Sequence, residues 1–494
     1  MIRPMKILVL NPPFLPRFSR AQRSPAVTKS GTIYFPLWLA YAVGVLEAEG
    51  HEVSFIDAPA RGWDVAQVTE HARALVPGLV VMDTSTPSLA NDLMVAERLK
   101  GACPKVFIIA VGTHVSALPG ETLEMGPALD AVARREYDYT VRDLAALLAA
   151  GGGQPPRPEE LAGVEGISWR GPEGVVHNPD RPFIEDLDAL PWVSKVYQRH
   201  LNIDDYFNPN AIPPMVTLIT SRGCPFKCTF CVYPQTFTGR AYRFRGIPDV
   251  VAEMAWVQEA FPRVRSIFFE DDTLTADKER CRAFSLAVIK RGLKLAWTAN
   301  SRVGLDYETM VLMRQAGCRQ LCVGFESGDP AVLKTMKKGI GSDTMLRFMA
   351  DARRAGILIH GCFMLGFPGE TKASAKMTVD LALALKPDTV QFYPVMVYPG
   401  TEAFAEYERL GWLTAGRWQD WLTAEGLHNC VVRNEALDSA EIVRLCDQAR
   451  RRFYLRPGYV LYKLTQVAKS PGELKRTVRA GRTFAKHLLR GSRV

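Results

Sequence analysis

The chain has no uninterrupted apolar run near the roughly 20 residues that a membrane-spanning helix needs. The longest candidate, residues 35–46, is about half that length and carries Trp38 and Tyr41, so it predicts a buried helix. The opening MIRPMKILVLNPP has a basic start, a short apolar stretch and no small-residue cleavage site. It predicts a first β-strand rather than a signal peptide, and a cytoplasmic protein. Acidic residues are nearly missing at the other end. Arg450–Val494 holds 13 Lys or Arg against one acid, Glu473, whereas the whole chain is only +9. The basicity is therefore local, and the main body is slightly acidic. Compositional extremes are also missing: 47% hydrophobic and 23% charged residues exclude a disordered chain. Cysteine is scarce in the first half, where only Cys103 of ten precedes residue 224. In a reducing compartment these are free thiols or metal ligands.

What is present is alternation. At 494 residues the chain exceeds one ordinary domain. Within 1–150, apolar strand-like segments (6–10, 53–57, 79–83, 106–111, 129–133) alternate with helical ones (36–49, 65–75, 89–100, 140–150). This predicts an α/β fold with a doubly wound, Rossmann-like parallel sheet, whose ligands sit beyond the carboxyl ends of the strands. A linker by composition, AGGGQPPRPEE, opens a region 151–214 that includes a hairpin, GISWRGPEGVVHN. Six further β/α units over 215–400 predict a partial (β/α)6 barrel with its site at the carboxyl ends of the strands. Residues 401–494 predict a mostly helical extension. Its last part, GELKRTVRAGRTFAKHLLR, spaces Lys475, Arg479, Arg482, Lys486 and Arg490 along one helix face, opposite an apolar stripe.

RGCPFKCTFC directly follows the first barrel strand and places Cys224, Cys228 and Cys231 in a C-x3-C-x2-C loop. Zinc sites built from four thiolates usually show two CxxC pairs, and here the next cysteine, Cys281, lies far off in a helical segment. Three thiolates can instead hold three irons of a [4Fe–4S] cluster and leave the fourth iron open, as a catalytic centre requires. Cys318, Cys322 and Cys362 are read as core thiols.

CPFKCTFC resembles the signature of the radical S-adenosylmethionine (SAM) superfamily. That resemblance implies an enzyme whose open iron is chelated by SAM, which is cleaved to a 5′-deoxyadenosyl radical. Later strand ends resemble the same family. FFEDDT (268–273) ends the second barrel strand. Arg302 in ANSRVG resembles the residue that meets the SAM carboxylate. Glu326 and Ser327 in GFESGD resemble the contacts to its ribose and amino group. Gly366 and Pro368 in GFPGET resemble the loop beside the adenine. Phe230 packs on the cluster or on a bound ligand, and YRFR (242–245) is a further candidate contact.

A doubly wound domain before such a barrel resembles the cobalamin-dependent class of the superfamily. The resemblance lies in NPPF, DTSTPS, VGTHVSALPGETL and ARREYDYTVRDL. It implies a corrin held by Asn11, Pro12, Thr84, Ser85, Thr86, Gly112, Thr113, His114 and Glu136, with the hydroxyls bonding its amide side arms. Two departures stand out. No D-x-H-x-x-G follows the first strand, so no histidine lower ligand is expected. Arg135 stands where relatives often have Gly. The class implies methylation of an unactivated carbon of a small molecule or lipid. Its alternative is non-methylating cyclisation or rearrangement of a tetrapyrrole or hopanoid-type lipid. An external one-electron donor of flavodoxin or ferredoxin type follows. The basic tail suggests peripheral contact with the inner membrane face, and no RNA-binding module argues for nucleic acid.

Overall fold

The computed structural model describes residues 4–152, 154–469 and 491. Strand β1 (Lys6–Asn11) is apolar and buried on both faces, as a central parallel strand must be. It is flanked by β2 (Glu52–Asp57) and β3 (Leu79–Asp83), followed outward by β4 (Phe107–Val111) and β5 (Ala131–Ala133). The order 2-1-3-4-5, all parallel, places the topological switch between β1 and β3. The hairpin expected in the linker does not stand apart. Its strands β6 (Ile167–Gly171) and β7 (Gly174–His177) add antiparallel to β5, so the first sheet runs past residue 150 to seven strands. Trp169 explains why: it is buried, and its indole N–H reaches Asn178 Oδ1 at 3.0 Å.

β8 (Met215–Leu218) opens the second sheet. A two-stranded ribbon, β9 (Ser221–Arg222) with β10 (Arg243–Phe244), brackets the cysteine loop. β11 (Ser266–Phe269), β12 (Ala296–Ser301), β13 (Cys318–Glu326), β14 (Leu358–Leu365) and β15 (Thr389–Pro394) complete a six-stranded parallel sheet in sequence order. β8 and β15 do not pair, so the barrel is open, as expected. Trp297 on β12, fully buried, packs its edge on Phe269 and Phe284 to join sheet and helix. The extension contributes helices Ser439–Tyr454 and Pro457–Lys469. The tail helix expected over 472–490 lies outside the described residues.

Candidate active site

The cysteine loop is fixed from several sides. Gly223 has φ +86°, and a Cβ there would stand 2.0 Å from the Ala241 carbonyl oxygen. Asp271, buried behind the loop, accepts from Thr220 N (2.8 Å), Thr220 Oγ1 (2.6 Å) and Ser221 Oγ (2.7 Å). Asp272 accepts from Gly223 N (3.1 Å) and Thr238 Oγ1 (2.7 Å). Gln235 donates to the Cys231 and Thr229 carbonyls. Cys224, Cys228 and Cys231 are free thiols, the first two buried and the third half-buried. Enclosure pushes the Cys231 thiol up to about 12, so its thiolate depends on bound metal. Among the described residues, no three metal-ligating side chains converge on one ion. A cluster suits this loop, because each thiolate binds its own iron.

Around the loop stand the expected SAM residues. Arg302 Nη1 lies 3.8 Å from Cys228 Sγ, with its guanidinium over Phe226 at 4.2 Å. Glu326 sits at φ +68°, an uncommon conformation for a side-chain-bearing residue. Lys338 Nζ donates to its Oε1 at 2.9 Å. Gly324 makes the space, since a Cβ there would come within 2.0 Å of that oxygen. The second oxygen, Oε2, is buried without a partner, which suits a bound ligand's donor. Phe230 packs edge-on to Phe367. Gly366 N donates to Glu370, and the Gly366 carbonyl accepts from Tyr407 at 2.5 Å. Pro368 is half-buried in that loop. Ser327 differs from expectation. It is fully buried, and its hydroxyl faces Thr378 on the outer helix at 3.1 Å, so it shapes the loop. Arg243 and Arg245 of YRFR are likewise committed to ion pairs, with Glu136 and with Asp249 and Glu253.

Phe325 on β13 packs outward against Phe348, so the alternate positions face the lumen. Register puts Asn300, Cys322 and His360 in one row, and Gly324, Cys362 and Gln391 in the next. Cys322 and Cys362 are therefore lumen thiols, half-buried rather than core; Cys318 is core as expected, and Cys281 is buried as well. Sequence reasoning missed Lys338, and missed Arg23 in the β1–helix loop. Arg23 Nη1 donates to Glu270 Oε1 at 2.7 Å, and its guanidinium lies over Tyr233 at 5.2 Å. Neither residue has a periodic signal, because each acts from an irregular segment. A basic cleft of about 990 Å³ opens beside the cysteine loop, lined by Phe226, Lys227, Arg302, Lys334, Lys337 and Lys338.

The residues expected to contact a corrin lie at the first sheet's strand ends, and most of them are engaged with one another. Asn11 donates to Asp57 Oδ1 and accepts from Arg20 Nη1, both at 2.8 Å, and Arg20 also reaches the Pro12 carbonyl. Thr84 donates to Asp92 Oδ2 at 2.7 Å, and Ser85 pairs with Ser88 at 2.8 Å. These groups are buried and already satisfied, so they shape the loops rather than offer free hydroxyls. Gly112, at φ +120°, lets the chain pass Thr84, whose carbonyl would stand 2.4 Å from a Cβ. Glu136 is also committed: both oxygens take Arg243, at 2.9 and 2.7 Å, across the domain boundary. Thr113, half-buried, starts a short helix. His114 is buried and held neutral, burial pushing it down to about 4; its Nδ1 faces Thr86 Oγ1 at 3.1 Å and its Nε2 has no partner. Tyr137 OH, at the same carboxyl edge, is also unpartnered. Buried polar atoms left without partners at this edge fit a cofactor rich in amides.

Comparison with known proteins agrees with this geometry. The B12 binding domain model matches residues 23–145, and the radical SAM superfamily model matches residues 218–382. An uncharacterized methyltransferase of Pyrococcus horikoshii is 30% identical over 454 residues, 92% of this chain and 93% of that protein. The anaerobic magnesium-protoporphyrin IX monomethyl ester cyclase of Rubrivivax gelatinosus is 25% identical, over 87% of this chain and 76% of the relative. In fold, the chain matches the radical SAM methyltransferase TsrM of Kitasatospora setae with a TM-score of 0.70, 18% identity and 90% coverage of both chains. With a cysteine loop made for a [4Fe–4S] cluster and SAM, and a sheet edge made for cobalamin, the chain belongs to the cobalamin-dependent radical SAM enzymes.

Proposed function

We propose that the enzyme methylates an unactivated carbon of a small-molecule or lipid substrate held in the barrel lumen. The observation that carries this is the joining of the two carboxyl edges. Arg222 pairs with Asp138 (2.7 Å), Arg243 with Glu136 and Arg23 with Glu270, so the corrin edge and the cysteine loop are held against each other. When bound, the cofactors supply hydrogen-atom abstraction and a methyl group. The chain's own side chains hold and shield. Arg302 and Glu326 orient SAM beside the thiols. Asn300, Cys322 and Cys362, on the lumen rows of the sheet, line the space for the substrate. The test is anaerobic loading with iron, sulfide and cobalamin, followed by SAM and a strong reductant. S-adenosylhomocysteine forming alongside 5′-deoxyadenosine is expected. 5′-Deoxyadenosine alone would favour cyclisation or rearrangement of a tetrapyrrole or hopanoid-type lipid, and the cyclase relative supports the tetrapyrrole form of that reading.

Two partners belong to this proposal. The basic cleft beside the cysteine loop suits an acidic one-electron carrier of flavodoxin or ferredoxin type. Substituting Lys227 and Lys334 by Gln should weaken the salt-sensitive on-rate of such a carrier and leave dithionite-driven SAM cleavage unchanged. The second partner is an anionic membrane surface. Among the described residues no helix is long and apolar enough to cross a membrane. Leu455, Val460, Leu461 and Leu464 are nonetheless exposed on and beside the helix Pro457–Lys469, next in sequence to the basic tail. Tyr459 ties that helix to the Asp388 carbonyl, at the end of the barrel away from the cysteine loop. Attachment there leaves the barrel mouth clear. Sedimentation with anionic but not neutral vesicles, lost in Leu461→Glu/Leu464→Glu, is expected. Equal recovery with both vesicle types would overturn it.

A further inference from the structure

The loop after β1 is anchored twice within four residues, once in each domain. Arg20 is buried in the first domain. Its Nη2 meets Asp92 Oδ1 at 2.5 Å, its Nε meets Ser88 Oγ at 3.2 Å and its Nη1 meets Asn11 Oδ1 at 2.8 Å. These partners belong to the strand-end network that shapes the corrin edge. Arg23 is anchored in the barrel. Beyond Glu270, its Nη2 donates to the Asp271 carbonyl at 3.0 Å and approaches Asp272 Oδ1 at 3.4 Å. The other oxygen of Asp272 holds Gly223 N, the residue before Cys224, and Thr238. Gly223 cannot shift freely, because the Ala241 carbonyl is packed against its α-carbon. Three residues of chain reach about 10 Å at full extension, so the Arg20–Arg23 strut has little slack.

We infer that Arg23 is a positioning residue that fixes the cysteine loop through Asp272 and sets the cluster's reduction potential with its charge. Arg23 places its guanidinium among Glu270, Asp272 and the Tyr233 ring, two residues after Cys231. Reducing a cluster adds negative charge. A fixed cation beside it favours the reduced state, and without that cation Glu270 and Asp272 face the cluster uncompensated. The strut also makes the corrin edge and the cluster loop mechanically continuous. The inference rests on the cluster assignment made above.

The test uses the full chain loaded with cluster and cobalamin, comparing parent, Arg23→Gln and Arg23→Lys. Iron and sulfide are counted first, then the cluster is titrated with EPR detection. Counts near four in the parent establish the cluster independently of Arg23. Arg23→Gln should retain the cluster, with a reduced fraction roughly tenfold lower at a fixed poise, about 59 mV for a one-electron couple. Arg23→Lys keeps the charge and should titrate like the parent. If Arg23→Gln fails to hold iron, Arg23→Lys decides: a parental potential supports the inference, and a lowered one overturns it. A loaded Arg23→Gln protein with the parental potential overturns it directly. A parent without four irons would instead sink the cluster assignment, and the inference with it.

Discussion

Single residues carry the sharpest expectations. Cys228 is buried in the loop with Arg302 at its sulfur. Cys228→Ala should abolish reductive SAM cleavage while cobalamin stays bound, as mass spectrometry of 5′-deoxyadenosine and the visible corrin spectrum would show. Unchanged cleavage would remove the cluster from this loop. Glu326 and Lys338 form a buried pair with one carboxylate oxygen left over. Lys338→Met leaves Glu326 as an unpaired buried charge. It should weaken SAM binding at least about tenfold, because a hydrogen bond to a charged group is worth roughly 1.5–3 kcal/mol. Iron content should not change. A SAM affinity equal to the parent's would mean that Lys338 plays no part in the site. Glu370 gives a pH signature. Burial pushes its carboxyl up to about 7, against the N–H groups of Gly366 and Phe367. A raised acid favours the folded state below its unfolded pKa, and that contribution is lost as pH rises through the folded value. Melting temperature should therefore fall between about pH 4.5 and 7, and Glu370→Gln should flatten that slope. The cysteine loop was legible from its spacing, and Arg302 and Glu326 were singled out by the resemblance of their strand-end segments; the structure puts Arg302 at the Cys228 sulfur and Glu326 at a strand end. Lys338 was not legible, since it reaches back from an irregular segment after the next helix. Cys322 and Cys362 were misjudged because a two-residue period marks two faces without saying which is the lumen.

At the scale of elements, the strands were legible because parallel strands buried on both faces are continuous apolar runs. β3 and the helix Val65–Leu75 match the sequence expectation to the residue, the helix because Asp64 and Gln67 form its capping box. The hairpin was seen but not its partner, since antiparallel addition to β5 depends on a distant edge. Gly223 is the element on which the cysteine loop turns. Gly223→Ala combines a left-handed φ with a clash against backbone, so iron loading should fall severalfold while the circular dichroism spectrum stays that of the parent. Full loading would show that the loop can yield at Ala241.

The whole molecule is held together by charge as well as by a continuous apolar core. Arg222 is fully buried between Asp138 and the rings of Trp38 and Tyr41. Removing one partner of such a pair costs about 3–5 kcal/mol, so Asp138→Asn should lower the melting temperature and loosen both cofactor sites together. The pairing of Arg222 with Asp138, or Arg243 with Glu136, was not legible, because the partners lie far apart in sequence and meet only when the domains dock. Docking through these pairs brings the corrin edge and the cysteine loop together. This central claim is tested most directly by EPR on the loaded protein, with cobalt(II) and the reduced cluster present together and each present alone. The account predicts that each centre speeds the other's relaxation and broadens its signal. Spectra that simply add, as for two distant and independent centres, would contradict it.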